Sequence, residues 1–320
     1  MKTVLFFRHW VRASGGHMKV RDYFDHVQSS PGYDAYVWFT PDSVWDESNP
    51  WWGVEHGVVH DFSLADADIL FIEGVDWHRL PAAQRSAYPT PVVNLVQGVR
   101  HAAHDDPLRR YRFLHQALSF KAIRICVSPE VAAAVEATGR VRGPLFTIPV
   151  AIDVETVEAV GRSRRRDIDL LVVADKQSDR GRLIAAQLER PDRKTYLLDR
   201  RIAREEFLQL LGQSRVTTFV PTAAEGFYLP ALEAMALGSL VVCPDVIGNR
   251  SFCIDGENCL RPANSDEEVI RATESALNDH EALQRLVQRA HDTAKRHDLG
   301  GERKSFLDVL ADAERLWRTF

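Results

Sequence analysis

Pro221-Thr222-Ala223-Ala224-Glu225-Gly226-Phe227-Tyr228-Leu229-Pro230-Ala231-Leu232-Glu233-Ala234-Met235-Ala236-Leu237-Gly238 is the stretch on which the reading of this sequence turns. It lies between two β-rich runs, Val216–Val220 and Ser239–Cys243, so the pattern is strand, loop, helix, strand. Pro230 suits the first helical position, where its missing N–H costs nothing. Gly238 suits the left-handed position that ends a helix. Glu225 then sits in the loop at the carboxyl end of a strand, and Glu233 in the first turn of the helix. Open α/β sheets bind ligands at that end of their strands.

The residue types in the loop give this placement a chemical meaning. Backbone N–H groups at a helix N-terminus, with the helix dipole behind them, attract a phosphate. Gly226 lets the main chain approach a ligand closely, and the amides of Gly226, Phe227, Tyr228 and Leu229 are the expected cradle. Two carboxylates beside an anion site fit a ligand that also carries hydroxyls, which carboxylates accept. Glu225 is expected to take hydroxyls of a sugar, and Glu233 those of a ribose.

Working outward, short apolar runs alternate with helical stretches along the whole chain, the pattern of parallel sheets with helices on both faces. Strands are expected at Thr3–Phe7, Tyr36–Phe39, Ile69–Ile72, Val92–Val96, Ile123–Val127 and Phe146–Val150 in the first half. In the second half they are expected at Ile168–Val173, Thr195–Leu198, Val216–Val220, Ser239–Cys243 and Asn258–Arg261. A length of 320 residues exceeds what one core usually serves. We expect an N-terminal Rossmann-like domain over 1–155, a second over 156–300, and a C-terminal helix over 301–320 packing back on the first. The polar run Ala151–Arg166 reads as the hinge, and the tail from Leu283 reads as helix interrupted near Gly300-Gly301.

Composition narrows the function classes. Hydrophobic residues at 45% and charged residues at 27% describe an ordinary globular protein. A net charge of −5 argues against a nucleic-acid binder. No run approaches the roughly 18 apolar residues of a membrane span, and the opening apolar run stops at Arg8, too short for a signal peptide. The four cysteines lack metal-ligand spacing and suit buried thiols in a reducing cytoplasm. The expected location is the cytoplasm, with room for contact at the inner face of the membrane. Asp66-Ala67-Asp68 and Asp167-Ile168-Asp169 spell a metal-binding pattern of sugar transferases, but both precede strands, so no metal is expected.

Glu225 and Glu233, with seven residues between them, stand in Glu-Gly-Phe-Tyr-Leu-Pro-Ala-Leu-Glu-Ala-Met-Ala-Leu-Gly, which resembles the signature of retaining glycosyltransferases of family 4. The segments Val241-Val242-Cys243-Pro244-Asp245 and Asp255-Gly256-Glu257-Asn258-Cys259-Leu260 are similar to the strand and turn that follow in that family. The resemblance implies the GT-B fold: two Rossmann-like doubly wound domains facing a central cleft that holds the donor. It further implies a metal-independent hexosyltransferase that retains anomeric configuration, with a nucleoside-diphosphate sugar as donor substrate and no cofactor. Lys176 and Arg180 occupy the place of the family's phosphate-binding cations. Gly15 and Gly16, after the first strand, resemble its glycine-rich loop, with His17 beside them. His101 matches a histidine near the reacting sugar carbon, with Gln97 and Arg100 next to it.

The acceptor is open at this level: a glycan, a lipid-linked sugar or a small molecule. Trp51 and Trp52, with Trp45 before them, offer aromatic faces that stack on sugars or pack in a core. Two rival readings are a GT-B nucleotide-sugar epimerase and a non-catalytic nucleotide-sugar-binding partner.

Overall fold

The computed structural model describes residues 1–12, 15–54, 56–60, 66–85, 88–102, 112–163 and 165–320, with the side chains of 75 and 280–283 also left aside. The chain forms two compact units, Met1–Val150 with Gly300–Phe320, and Ala151–Leu299.

In chain order the first unit contains β1 (Lys2–Arg8), α1 (Gly15–Gln28), β2 (Tyr33–Phe39), β3 (Val58–Val59), β4 (Ile69–Glu73), α2 (Ala82–Arg85), β5 (Val92–Val96), α3 (Arg112–Ala117), β6 (Ile123–Cys126), α4 (Pro129–Glu136) and β7 (Leu145–Thr147). Among the described residues these strands make one seven-stranded sheet in the order β3-β2-β1-β4-β5-β6-β7. Every pairing is parallel. The order reverses between β1 and β4, the topological switch point of a doubly wound sheet. Successive side chains on a strand point to opposite faces. Leu5 and Phe7 therefore pack with Leu70, Ile72 and Trp77, while Phe6 meets Phe24 and Phe71 on the other side.

The second unit begins with α5 (Val154–Gly161) and continues through β8 (Ile168–Val173), α6 (Ser178–Leu188), β9 (Thr195–Leu198), α7 (Arg204–Gln213), β10 (Ser214–Phe219), α8 (Leu229–Ala236), β11 (Leu240–Val242), α9 (Asp266–Asn278) and α10 (His280–Arg296). Its parallel sheet runs β11-β10-β8-β9. Leu171 and Val173 of β8 enter one core with Phe219, Leu232 and Met235. Leu170 and Val172 enter the opposite one with Ile184 and Val269.

The tail consists of α11 (Leu299–Ala311) and α12 (Ala313–Thr319). Phe306 packs edge-on against Tyr23 at 4.6 Å. Glu302, buried, accepts from Lys19 Nζ at 3.0 and 3.1 Å and lies 3.0 Å from His26 Nε2. Burial works to raise the Glu302 carboxyl, but His26 and Lys19 outweigh it and hold it below the usual carboxylate range. Lys121 Nζ sits 4.4 Å from the Trp317 ring centroid.

The structure departs from the sequence expectations at four places. Gly15 and Gly16 are not a loop but the first turn of α1. The stretch read as a hinge contains α5, capped by Asp153 on the Thr156 amide at 3.0 Å. Its apolar residues Val154, Val157 and Val160 recur at helical spacing toward the second core, a pattern hidden by the charged residues around it. Gly300 and Gly301 lie inside α11; the helix breaks earlier, where the His297 carbonyl accepts from Ile152 N at 2.9 Å and Asp298 bridges Ile152. Of residues 258–261, Cys259 and Leu260 form isolated bridges rather than a strand, and the Asn258 side chain takes the Ile254 amide and the Phe252 carbonyl into a turn.

Candidate functional site

Parallel pairing of β8, β10 and β11 brings their carboxyl-end loops side by side. Gln177, after β8, donates to the carbonyls of Val220 and Pro221 after β10. Lys176 Nζ donates to Glu225 Oε1 at 2.7 Å, and Thr222 Oγ1 donates to the same oxygen at 2.9 Å. The Glu225 side chain is 12% exposed and that of Lys176 36%. From the far side, the loop after β11 places Gly248 against Glu225, and Gly248 O accepts from Tyr228 N at 2.7 Å.

The last contact corrects one expectation. The Tyr228 amide was counted toward the phosphate cradle, but Gly248 consumes it. Phe227 also has a structural partner, stacking on Phe252 with ring centroids 4.8 Å apart. Tyr228 is N-cap and Leu229 the first residue of α8, so Pro230 falls one place later than read from the sequence. Gly238 ends the helix with φ of +70°, as its residue type requires.

Glu233, on α8, is 2% exposed. Burial raises its carboxyl above the usual range, against the opposing pull of Arg204. Arg204 Nη1 lies 2.7 Å from Glu233 Oε1, yet that oxygen has no aligned hydrogen bond among the described residues. Tyr228 is buried, and its phenol is pushed up chiefly by burial, with Cys243, Glu225, Asp175 and Glu233 each raising it further. Neither carboxylate points into bulk water.

A Cβ at Gly248 would lie 2.7 Å from Glu225 Cβ and 3.0 Å from its carbonyl carbon. Gly248→Ala is therefore expected to shift the Glu225 loop and to cost about 1–3 kcal/mol, the usual penalty of overpacking, read as a lowered urea midpoint. An unchanged midpoint would mean that the loop is slack.

The other expected residues fall as follows. Arg180 donates to Asp266 Oδ1 at 2.6 Å and Asn264 Oδ1 at 2.7 Å, so its charge is matched on α9 rather than at Glu225. In the first unit, Gln97 Nε2 donates to Gly16 O at 2.9 Å, which joins the end of β5 to the start of α1. A Cβ on Gly16 would meet Gln97 Oε1 at 3.0 Å. His17 packs edge-on against Trp10, and burial, with Arg8 next in effect, pushes it down to about 4. His101 is buried against Gly74, its Nδ1 3.0 Å from Gly98 O, and burial pushes it also down to about 4. Both rings are neutral near pH 7. Arg100 is exposed. Trp51 is 0% exposed and packs against Phe24 and Phe39, whereas Trp52 is 51% exposed. Trp51 is thus a core residue, not a sugar-facing one. Asp68 and Asp169 cap the amides of Thr3 and Lys194 at the amino ends of β4 and β8, opposite the loops described above.

One group escaped the sequence reading. Arg8, at the end of β1, is 0% exposed, and its Nη1 lies 2.5 Å from Asp76 Oδ2. Among the described residues its Nε and Nη2 have no partner. The sequence signal was an arginine closing an otherwise apolar strand.

Residues 151–279 match the family model described as glycosyl transferases group 1. No curated protein sequence matches the chain significantly. Among solved structures, HepE of Anabaena in complex with UDP-glucose superposes with a TM-score of 0.75 at 14% identity, covering 98% of this chain and 100% of that one. Sucrose-phosphate synthase of Thermosynechococcus elongatus gives 0.73 at 12% identity, covering 98% and 99%. TarM covers 75% of this chain and 54% of its own, with a TM-score of 0.59 at 12% identity. The fold is GT-B, and the residues that match the glycosyl transferases group 1 model lie within its second unit.

Proposed function

We propose that the protein is a retaining glycosyltransferase that moves a hexose-type sugar from a nucleoside-diphosphate sugar to an acceptor hydroxyl, without metal or other cofactor. The observation that carries the proposal is the Lys176–Glu225 pair at the carboxyl ends of β8 and β10, followed on α8 by the buried Glu233. In sugar transfer, negative charge grows on the departing phosphate. An ammonium group fixed beside that oxygen stabilises the transition state more than the ground state. Lys176 supplies this charge, Glu225 accepts sugar hydroxyls, and Glu233 accepts those of the ribose, exchanging its contact with Arg204 for a neutral partner.

Attack on the same face as departure, with the phosphate oxygen taking the acceptor proton, accounts for retention without a carboxylate nucleophile. A covalent sugar–enzyme adduct seen by mass spectrometry would count against it.

Because HepE was solved with UDP-glucose, UDP-sugars are the first donors to test. UDP-glucose at about 100 times its dissociation constant is expected to add about 2.7 kcal/mol of stability, read as a rise in melting temperature. Glu233→Ala should weaken that rise while the apo melting point stays measurable. Release of UDP and a glycosylated product in the presence of acceptor separate a transferase from an epimerase, which would interconvert sugars with donor alone. No thermal response to any nucleoside diphosphate or its sugar would remove the proposal.

A further inference from the structure

The loop between β2 and β3 holds aromatic residues in two opposite ways. Trp51 is buried, edge-on to Phe24 and Phe39 at 5.8 and 5.5 Å, with the Arg21 guanidinium 5.4 Å from its ring. It anchors the loop. Trp45 and Trp52 are 40% and 51% exposed, and their rings stand 6.0 Å apart, tilted by 55°. Val44, also exposed, adjoins them.

The display is built, not loose. Asn49, 1% exposed, donates to Val44 O at 3.3 Å and accepts from Trp51 N at 3.1 Å. Trp52 N donates to Asn49 O at 2.8 Å, and Val44 N donates to Trp10 O at 2.8 Å. The same loop and the ends of neighbouring strands also carry a polar group. Asp42 pairs with Arg79; His9 Nδ1 lies 2.7 Å from Thr40 Oγ1, and its Nε2 lies 3.0 Å from Arg79 Nη2. The group stands at the carboxyl ends of β1, β2 and β4, next to the point where strand order reverses.

An exposed indole pair held rigid at the ligand-binding edge of a sheet calls for an occupant. We propose that Trp45 and Trp52 form a stacking platform for a pyranose ring of a carbohydrate, with Asp42 accepting its hydroxyls and Arg79 donating to them. In the glycosyltransferase reading, on which its role rests, that carbohydrate is the acceptor. A pyranose has an apolar C–H face that suits an indole and hydroxyls around its rim that suit a carboxylate and a guanidinium. A lipid surface fits worse: residues 41–54 contain Asp42, Asp46 and Glu47, all exposed, and no lysine or arginine, so an anionic leaflet would be repelled.

The test is acrylamide quenching of tryptophan emission in the full chain, with maltose, cellobiose or N,N′-diacetylchitobiose as probes and no donor present. At least one disaccharide should shield the exposed pair, and Trp45→Ala with Trp52→Ala should abolish the shielding. Trp52→Ala should raise the acceptor KM by about tenfold, the effect of losing one aromatic contact, with donor KM unchanged. No shielding by any of the three sugars would overturn the proposal. So would shielding by phosphatidylglycerol vesicles in their place. Donor binding is read separately, by the melting shift with UDP-glucose. A chain that responds to UDP-glucose but leaves the pair unshielded keeps the transferase and loses the platform. Shielding with no melting response to any nucleoside diphosphate or its sugar keeps a sugar platform and removes the transferase.

Discussion

Lys176→Ala should lower kcat/KM for sugar transfer by about 10²–10³-fold, the loss expected when one charge-stabilising donor is withdrawn from a transition state. Folding stability should barely change. The lysine is more than a third exposed, so its pair with Glu225 is screened by water and salt and is worth no more than about 1 kcal/mol. This split separates a chemical role from a structural one. Glu225→Gln keeps the side chain's size and its contact with Thr222 but drops the charge that positions Lys176 at 2.7 Å. It should lose a comparable factor. The double variant should be little worse than either single one, because the two groups act as a unit. Steady-state kinetics with a UDP-sugar, beside urea midpoints for each variant, make the check. Full turnover by Lys176→Ala, or an activity loss matched by an equal loss of stability, would reject the assignment.

The second large effect lies in the first unit and concerns stability. Removing one partner of a buried ion pair leaves the other charge uncompensated and costs about 3–5 kcal/mol. Burial pushes the Asp76 carboxyl up to about 7, against the Arg8 cation that pulls it down. A carboxyl raised in the folded state ionises first in the unfolded chain. Its share of stability is therefore complete below the ordinary carboxylate range and is lost as pH rises through about 7. The two single variants should then differ. In Arg8→Met the lone Asp76 can take up a proton, so the loss is largest at alkaline pH and shrinks in mild acid. Asp76→Asn holds the neutral form at every pH, so it should cost little in mild acid, where Asp76 is itself protonated, and should remove the fall in stability as pH rises through about 7. Arg8→Met combined with Asp76→Leu should recover most of the Arg8→Met loss, because an apolar pair of similar volume avoids the desolvation penalty. Urea unfolding at mildly acidic and mildly alkaline pH decides the matter. Parallel losses for both single variants would sink the account.

Periodicity made much of the fold legible. The apolar runs 92–96, 168–173 and 195–198 are strands with the expected bounds. The strand–loop–helix around Glu225 was legible for the same reason, since Pro230 and Gly238 punctuate it locally. Misreadings arose where local chemistry was ambiguous. A glycine pair serves a loop or the start of a helix equally well, and Gly15-Gly16 is the latter, with Gln97, just past β5, donating to the Gly16 carbonyl. Trp51 and Trp52 are adjacent and of the same type, yet one is buried and the other exposed.

The sequence by itself determined two α/β units, the positions of most strands along the chain, and a glutamate pair on either side of a helix start, because these rest on spacing within a few residues. Only the tertiary structure decided which charges meet. Arg8 and Asp76 are 68 residues apart, Lys176 and Glu225 are 49 apart, and Lys19 and Glu302 are 283 apart. Such pairs carry no periodic signal. They form because hydrophobic burial of the sheets fixes the backbone first, and the few polar groups then enclosed must find one another or remain unsatisfied.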